Sequence, residues 1–363
     1  MVYCRPMHKT TRRSLLSSAG LAAASLPAAQ ALLAPTAAHG AGHAGHAGHD
    51  MSGVDGGGHP MSGHVGGAAG PTFRAGETVD HAANGFHPTE LLRDFDWGRT
   101  RRLPSGRVLR EWTVHALDKE IEVAPGVTFP AWTFNGRVPG PTLRCREGEK
   151  LRIEFVNGSA HPHTMHFHGI HPADMDGVAG QGAGLVEPGG RTVYEFDAEP
   201  FGLHLYHCHA APLAEHIARG MYGTFIVDPR DGRRDADELV MVQAGWNTTF
   251  DAEGNQLYHV NAIPFHYMHE PVRVRRGELV RIYLSNLLEY DPVNSFHLHG
   301  NFFDHFPTGT RLEPLELTDT IAQAQGQRGI LELRFPHLGH FMFHAHKSEF
   351  AELGWMGLFE VVA

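Results

Sequence analysis

Short runs of apolar residues, several of them alternating with polar residues, recur along the chain from about residue 73 and are separated by Pro and Gly clusters. Runs of this length that are rich in Val, Ile, Phe and Tyr predict β-strands, and regularly spaced turns between them are typical of a β-sandwich or barrel. One or two helical turns are expected near residues 88–95. The pattern therefore predicts an all-β protein. The predicted strands are 112–116, 150–156, 192–196, 224–227, 239–243, 280–284, 330–335 and 358–362.

An internal repeat divides this region in two. Residues 147–157 (EGEKLRIEFVN) are similar to residues 276–286 (RGELVRIYLSN), and a His-x-His pair follows each stretch. Each half then contains a second pair and a short Gly-Met-Tyr-Gly or Gly-Trp-Met-Gly segment. Such a repeat indicates that one β domain occurs twice. We expect the domains to span 73–232 and 233–363, because Pro, Gly and charged residues cluster between them.

The N-terminal residues indicate export. Arg12-Arg13 followed by an Ala- and Leu-rich stretch without acidic residues predicts a twin-arginine signal peptide over 1–38, and hence a periplasmic or extracellular protein. Residues 39–72 are rich in Gly, Ala, His and Met and are expected to be disordered, either scavenging copper or forming an inert tail. No segment is predicted to span a membrane, and a net charge of -10 argues against a nucleic-acid partner.

Histidine is unusually frequent, with 29 copies, and four short histidine pairs stand out. Two neutral imidazoles one residue apart can both reach a metal from one strand or loop, and imidazole is a good copper ligand. Surface or core histidines without a metal would explain one such pair, but not four that follow an internal repeat. The pairs are His166-Phe-His168, His207-Cys-His209, His297-Leu-His299 and His344-Ala-His346.

A second ligand set occurs in the first half only. Two histidines, one cysteine and a distant methionine form the ligand set of a blue copper site. The corresponding positions of the second half hold Asn294, Ala345 and Trp355, although its paired histidines remain. The eight paired imidazoles therefore predict a separate three-copper centre, shared between a first and a second domain. The predicted blue-copper ligands are His163, Cys208, His216 and Met221.

The other cysteines have simpler interpretations. Cys4 would leave with the signal peptide. Cys145 lies in a strand-like run and is expected to be a buried free thiol. A Cys145–Cys208 disulfide is the alternative in an oxidising compartment, although it would consume the thiolate of the predicted copper site.

These motifs, together with residues 134–143 (FNGRVPGPTL), resemble the multicopper oxidases over residues 72–363, and specifically the two-domain, laccase-like members with type 1 copper in domain 1. The resemblance implies two cupredoxin Greek-key domains and four coppers per subunit. It also implies homotrimers with each trinuclear cluster between subunits. It assigns His163, Cys208, His216 and Met221 to type 1 copper, His166 and His297 to type 2 copper, and His168, His207, His209, His299, His344 and His346 to the type 3 pair.

One spacing departs from the larger laccases, which place the second type 1 histidine five residues after the cysteine. Here Leu213 occupies that position and His216 comes eight residues after Cys208. This longer loop is similar to that of the copper nitrite reductases, which are also two-domain trimers.

The resemblance implies oxidation of phenolic or aromatic donors coupled to reduction of O2 to water, with electrons entering at His216 and leaving Cys208 through its histidine neighbours. Asp176 resembles the acidic residue that the family places near type 2 copper, although a plain turn aspartate is an equal alternative, and Glu349 is a second candidate for this role. Three other functions stay open: nitrite reduction, copper carriage or electron transfer without catalysis, and oxidation of Cu(I) or another metal ion. The reducing substrate cannot be read from the sequence.

Overall fold

The computed structural model of the protein describes residues 79–363. The predicted signal peptide, the His- and Met-rich segment and Cys4 lie outside the described residues. Within the part described, no helix is long and apolar enough to cross a membrane.

The described chain is built mainly of strands, with a few short helices. In the first half, strands β1 to β10 are Phe95–Asp96, Arg99–Arg102, Val108–Ala124, Val127–Phe134, Thr142–Arg146, Lys150–Asn157, His166–Phe167, Arg191–Asp197, Gly202–His207 and Tyr222–Asp228. In the second half, strands β11 to β21 are Asp237–Trp246, Leu257–Val260, Val272–Arg275, Val280–Asn286, Val293–Leu298, Phe303–Pro307, Glu316–Thr318, Thr320–Ala324, Arg328–Leu333, Gly339–His344 and Met356–Val362. Helices α1 to α5 are His81–Asn84, Pro88–Leu91, Leu213–Ala218, His266–His269 and Ser348–Glu352, and a 3₁₀ turn spans Ala173–Met175.

The strand topology is repeated in the two halves. In the first half, β6 runs parallel to β3 and antiparallel to β8, and β10 runs parallel to β5 and antiparallel to β9. In the second half, β14 pairs in the same way with β11 and β19, and β21 with β13 and β20. The predicted all-β class and the internal repeat therefore correspond to two sandwiches of similar topology.

The strands predicted from the sequence are found in the structure. Strand β6 alternates half-buried and buried residues, because one face packs on the core while the other is partly exposed. Every predicted run overlaps an observed strand, although β3 is much longer than the predicted 112–116 and β19 ends at Leu333, two residues before the predicted end. The expected helical turn corresponds to α2.

The two halves share a packed junction. Leu205 and Ile226 of the first half belong to the same apolar cluster as Val240, Tyr283 and Ile330 of the second half. Burial of this apolar surface stabilises one arrangement of the domains. The histidine-bearing strands of both halves therefore belong to one packed unit.

Candidate metal centres

Three predicted ligands of the first half converge on one point. His163 lies between β6 and β7, Cys208 directly follows β9, and His216 lies in α3. The Nδ1 atoms of the two histidines are 3.1 Å apart, and they lie 3.7 Å (His163) and 3.2 Å (His216) from the Cys208 Sγ atom. A point equidistant from three atoms at these separations lies about 2 Å from each, which is the length of a metal–imidazole bond. The geometry therefore fits a metal ion.

A hydrogen-bond chain fixes the orientation of the His163 ring. Its Nε2 atom is 3.0 Å from the Ser159 Oγ atom, and the Ser159 hydroxyl donates to the Asp118 Oδ1 atom at 2.6 Å. Because the serine hydrogen is used on Asp118, His163 must donate from Nε2. Its Nδ1 atom is then left unprotonated toward Cys208, as a metal ligand requires. Neither Ser159 nor Asp118 belongs to a motif, so the sequence alone gives no sign of their role.

The same centre is buried in the first domain's core. Met221 is fully buried in the apolar cluster that contains Cys208, and its carbonyl oxygen accepts a hydrogen bond from the Cys208 N–H at 3.0 Å. Burial lowers the pKa of His163 to about 3 and that of His216 to about 4, so both rings are neutral, the form that binds metal. Burial raises the pKa of the Cys208 thiol, so a bound cation is needed to stabilise the thiolate.

Both described cysteines, Cys145 and Cys208, are buried free thiols. The alternative disulfide between them is therefore not formed in the structure, and the Cys208 sulfur is available as a ligand.

The paired histidines of the first half form a second cluster. Strands β7 and β9 pair antiparallel with His166 opposite His207, which brings their two His-x-His segments together. The Nε2 atoms of His168 and His207 are 2.9 Å apart, and the ring of His209 lies 5.2 Å from that of His166. Carbonyl oxygens accept from Nδ1 of His166 (2.8 Å, Asp176) and of His207 (2.8 Å, Cys208), so the Nε2 atom of each is free to bind metal.

The second half repeats this arrangement. His297 on β15 lies opposite His344 on β20, and the Nε2 atoms of His299 and His344 are 3.0 Å apart. The ring of His346 lies 5.2 Å from that of His297. The Nδ1 atom of His344 donates to the Ala345 carbonyl at 2.7 Å, as His207 does one residue before Cys208. Two unrelated clusters of histidines would not share register and tautomer, so the arrangement is a duplicated ligand set.

The two four-histidine sets remain apart within one chain. Among residues 79–363, the ligand atoms within 4.8 Å of one another form groups that contain paired histidines of one half only. Burial lowers the pKa of His168 to about 3 and of His207 to about 4, and it also lowers the pKa of His299 and His344. The imidazoles of each set are therefore ready to bind metal, but a single chain does not join the sets.

The second half has the same backbone hydrogen bonds around this position but lacks the cysteine centre. Ala345 donates its N–H to the Trp355 carbonyl, as Cys208 does to Met221, and Ser295 accepts from the His346 N–H, as Thr164 does from His209. Asn294 therefore occupies the position of His163. These three apolar or amide side chains cannot form a blue-copper site.

The two predicted acidic residues lie in different surroundings. The Asp176 Oδ1 atom is 3.0 Å from Nδ1 of His166 and 3.5 Å from Nε2 of His171, so this carboxylate is next to the first cluster. Glu349 is an exposed residue of α5 that pairs with Lys347 at 3.4 Å, and the structure brings it to none of the paired histidines of its own chain.

A cleft of about 640 Å³ opens beside the cysteine centre. His216, only 3% exposed, is one of its lining residues, and the Trp132 ring lies 4.7 Å from the His216 ring. Arg219 covers the other part of Trp132, and the carboxylates of Asp118 and Glu215 line the rim. An aromatic ring or a small cation could therefore approach the imidazole edge of the centre without penetrating the core.

Comparisons with known proteins give the family. Multicopper oxidase profiles match residues 116–232 and residues 236–363. A solved multicopper oxidase is 62% identical to the chain, with a TM-score of 0.77 over 78% of this chain and all (100%) of that structure. The copper nitrite reductase of Nitrosomonas europaea is 26% identical, with a TM-score of 0.63 over 70% of this chain and 94% of that structure.

A curated relative, the copper-containing nitrite reductase of Neisseria meningitidis, is 32% identical in an alignment of 260 residues that covers 64% of this chain and 64% of the relative. The chain thus covers less than two thirds of that relative's length. The chain belongs to the multicopper oxidases, a family of copper-dependent oxidoreductases, and its two halves are cupredoxin-type domains.

Proposed function

We propose that the protein is a laccase-like oxidase that couples one-electron oxidation of phenolic and related aromatic donors to the reduction of O2 to water. Four donor molecules lose one electron each, and these electrons with four protons convert one O2 into two waters. The observation that carries the proposal is the duplicated set of four imidazoles, which supplies eight nitrogen ligands in addition to the cysteine centre. Nitrite reduction, by contrast, would need only an isolated type 2 copper in addition to the cysteine centre, and no pair of coppers beside it.

The residues fit copper as the family resemblance assigns it. His163, Cys208, His216 and Met221 would hold type 1 copper, and the eight paired histidines would hold the type 2 ion and the type 3 pair. Bound copper would supply the one-electron redox chemistry at the first site and the reduction of O2 at the cluster.

The chain's own groups connect and position these sites. The His216 ring lines the cleft and is where a donor would come within contact distance of the type 1 site. Cys208 is bonded through the backbone to both His207 and His209, which makes this tripeptide the shortest covalent connection between the two centres. Asp176 holds His166 at Nδ1 and places a carboxylate next to the first cluster, where protons would be consumed.

We further propose that the cluster forms between subunits of a homotrimer, because each chain keeps its two four-histidine sets apart. The test mixes two inactive variants, His168→Ala and His299→Ala, by co-expression. His299→Ala keeps an intact first domain and His168→Ala an intact second domain. In random mixed trimers about a quarter of the interfaces combine these two intact domains and so contain a complete cluster. Oxidase activity near that fraction supports the shared cluster, whereas no recovery above either variant alone contradicts it.

Nitrite reduction is the competing function, favoured by the names of the curated relatives and by the eight-residue spacing from Cys208 to His216. Copper-loaded protein is tested in parallel for O2 uptake with a phenol and for nitrite consumption with an artificial electron donor. We expect about four coppers per chain and phenol-dependent O2 uptake. Two coppers per chain with nitrite consumption would instead assign the chain to the nitrite reductases.

Two cysteine variants provide matched controls. Cys208→Ser removes the only thiolate of the proposed type 1 site and should abolish both the blue absorption and the oxidase activity. Cys145→Ala removes the other buried thiol, which has no part in the site, and should keep both the blue absorption and the oxidase activity.

We also propose export by the twin-arginine route to the periplasm or the exterior. Replacing Arg12 and Arg13 with lysine should leave the protein in the cytoplasm, and unchanged export would refute this route.

A further inference from the structure

A third group of imidazoles lies outside both proposed copper centres. His81 in α1 and His87 just before α2 come from the N-terminal end of the first half, ahead of β1, whereas His266 in α4 belongs to the second half. The ring centroids are 4.3 Å apart for His81 and His87, 5.0 Å for His81 and His266, and 5.2 Å for His87 and His266. Glu270, one residue after α4, adds a carboxylate to this group.

The hydrogen bonding of this cluster is incomplete. Both ring nitrogens of His81 are inaccessible to solvent and have no hydrogen-bond partner among residues 79–363. Buried nitrogens without a partner are rare, because the lost hydration is not replaced. A ligand that accepts a nitrogen lone pair would satisfy one of these two nitrogens, and residues 79–363 offer none.

The geometry matches a cation site. One ligand atom each of His81, His87 and Glu270 lies within 4.8 Å of the others, and the His87 Nε2 to Glu270 Oε1 distance is 3.5 Å. Ligands on a tetrahedron with metal bonds near 2.1 Å are separated by about 3.4 Å. The His87–Glu270 distance therefore already matches shared coordination, and the ring of His266 lies beside the group, 5.0 Å from that of His81 and 5.2 Å from that of His87.

Neighbouring groups already orient part of this set. The Thr89 Oγ1 atom is 2.8 Å from the His266 Nε2 atom and donates to the Glu270 Oε2 atom at 3.3 Å, which leaves Oε1 directed at His87. His87 accepts a long hydrogen bond of 3.3 Å at Nδ1 from the Thr89 N–H. Coordination through Nε2 would move the ring proton of His87 to Nδ1 and replace this weak helix cap with a metal bond.

We propose that His81, His87 and Glu270, with His266 beside them, bind a divalent first-row transition cation, Zn²⁺ or Cu²⁺, at a site separate from the oxidase coppers. Imidazole and carboxylate together suit both ions. The bound ion would clamp the segment of residues 81–91 to the second domain. This site is independent of the proposed oxidase activity.

The test measures metal uptake by copper-loaded, full-length protein. Parent protein and a His81→Ala/Glu270→Gln variant are equilibrated with Zn²⁺ or with Cu²⁺, separated from free ions and analysed for metal content. The parent should bind one more ion per chain than the variant, with identical blue absorption in both. His337→Ala, which removes an exposed histidine from the β19–β20 loop, should match the parent. Ions held by the His-rich residues before 79 add equally to all samples.

Thermal unfolding gives a second readout. Zn²⁺ at about 100 times its dissociation constant should raise the Tm of the parent by roughly 5 °C and leave that of the variant unchanged. If the double variant does not reach the parent's Tm in the presence of a chelator, the single variant Glu270→Gln takes its place in both measurements. Uptake of either cation that depends on these residues supports the site and identifies the ion, whereas equal uptake and equal Tm shifts in parent and variant overturn it.

Discussion

The domain junction contains a buried ion network whose central residue can be tested by one isosteric change. Glu238 on β11 accepts from Arg144 at 2.6 and 3.0 Å, from Arg281 at 2.9 Å and from the Tyr283 hydroxyl at 2.6 Å. Arg144 belongs to the first domain and Arg281 to the second, so this carboxylate ties the two domains together. Glu238→Gln keeps the shape but removes the charge and turns an N–H donor toward the guanidinium groups.

The expected loss follows from the burial of these groups. Removing one partner of a buried ion pair costs about 3–5 kcal/mol, and the lower value applies here because the Glu238 side chain is 19% exposed and Asp228 and Glu332 remain beside the arginines. Roughly 285 residues unfold with an entropy near 0.6 kcal/mol per kelvin, so about 3 kcal/mol corresponds to a Tm loss of roughly 5 °C.

The assay is calorimetry of parent, Glu238→Gln and the exposed control Glu313→Gln, with the same copper content. Burial opposes ionisation of Glu238, but the hydrogen bonds from Arg144 and Tyr283 outweigh it and lower its pKa. A carboxylate with a lowered pKa stabilises the fold above its ordinary pKa and loses that contribution as the pH falls toward the lowered value. The gap between parent and variant should therefore narrow on acidification. A Tm of Glu238→Gln within 1 °C of the control at pH 7 would contradict a stabilising role for this carboxylate.

Three further predictions concern single side chains. Ser159→Ala removes the acceptor that holds the His163 Nε2 proton and should weaken copper retention at the blue site by about tenfold. Competition with a chelator measures the retention, and a value equal to the parent's would exclude this role of Ser159. Asp176→Asn should slow turnover with the blue absorption intact, and unchanged turnover in steady-state O2 uptake would remove Asp176 from the mechanism. Burial raises the pKa of Glu289 to about 7, so the folded state loses stability as the pH rises from the ordinary glutamate value through 7. Glu289→Gln should therefore raise the Tm relative to the parent at pH 8 and not at pH 5. An equal Tm difference at both pH values would contradict the raised pKa.

The strand pattern and the repeat predicted the fold because they are local signals. The alternating burial along β6 follows directly from the residue pattern, whereas its counterpart β14 in the second half is buried throughout. The histidine pairs were visible for the same reason, since each lies within three residues. That their strands pair with His166 opposite His207 depends on register, which the sequence does not state.

The supporting groups could not be predicted because they are distant in sequence. Asp118 reaches Ser159 across 41 positions, and His81 approaches His266 only through packing of the N-terminal segment on α4. A local signal existed for the latter, since His266, His269 and Glu270 have a spacing typical of metal ligands. Without the partner histidines it did not indicate a site.

The most direct test of the account follows electrons through the copper-loaded protein. Anaerobic reduction by a phenol should bleach both the blue absorption and the absorption of the paired coppers, and addition of O2 should restore both, with one O2 consumed for about four electrons. Two results would contradict the claim that the eight paired histidines form an O2-reducing cluster. One is that nitrite but not O2 restores the blue absorption, and the other is that fully loaded protein shows no paired-copper absorption.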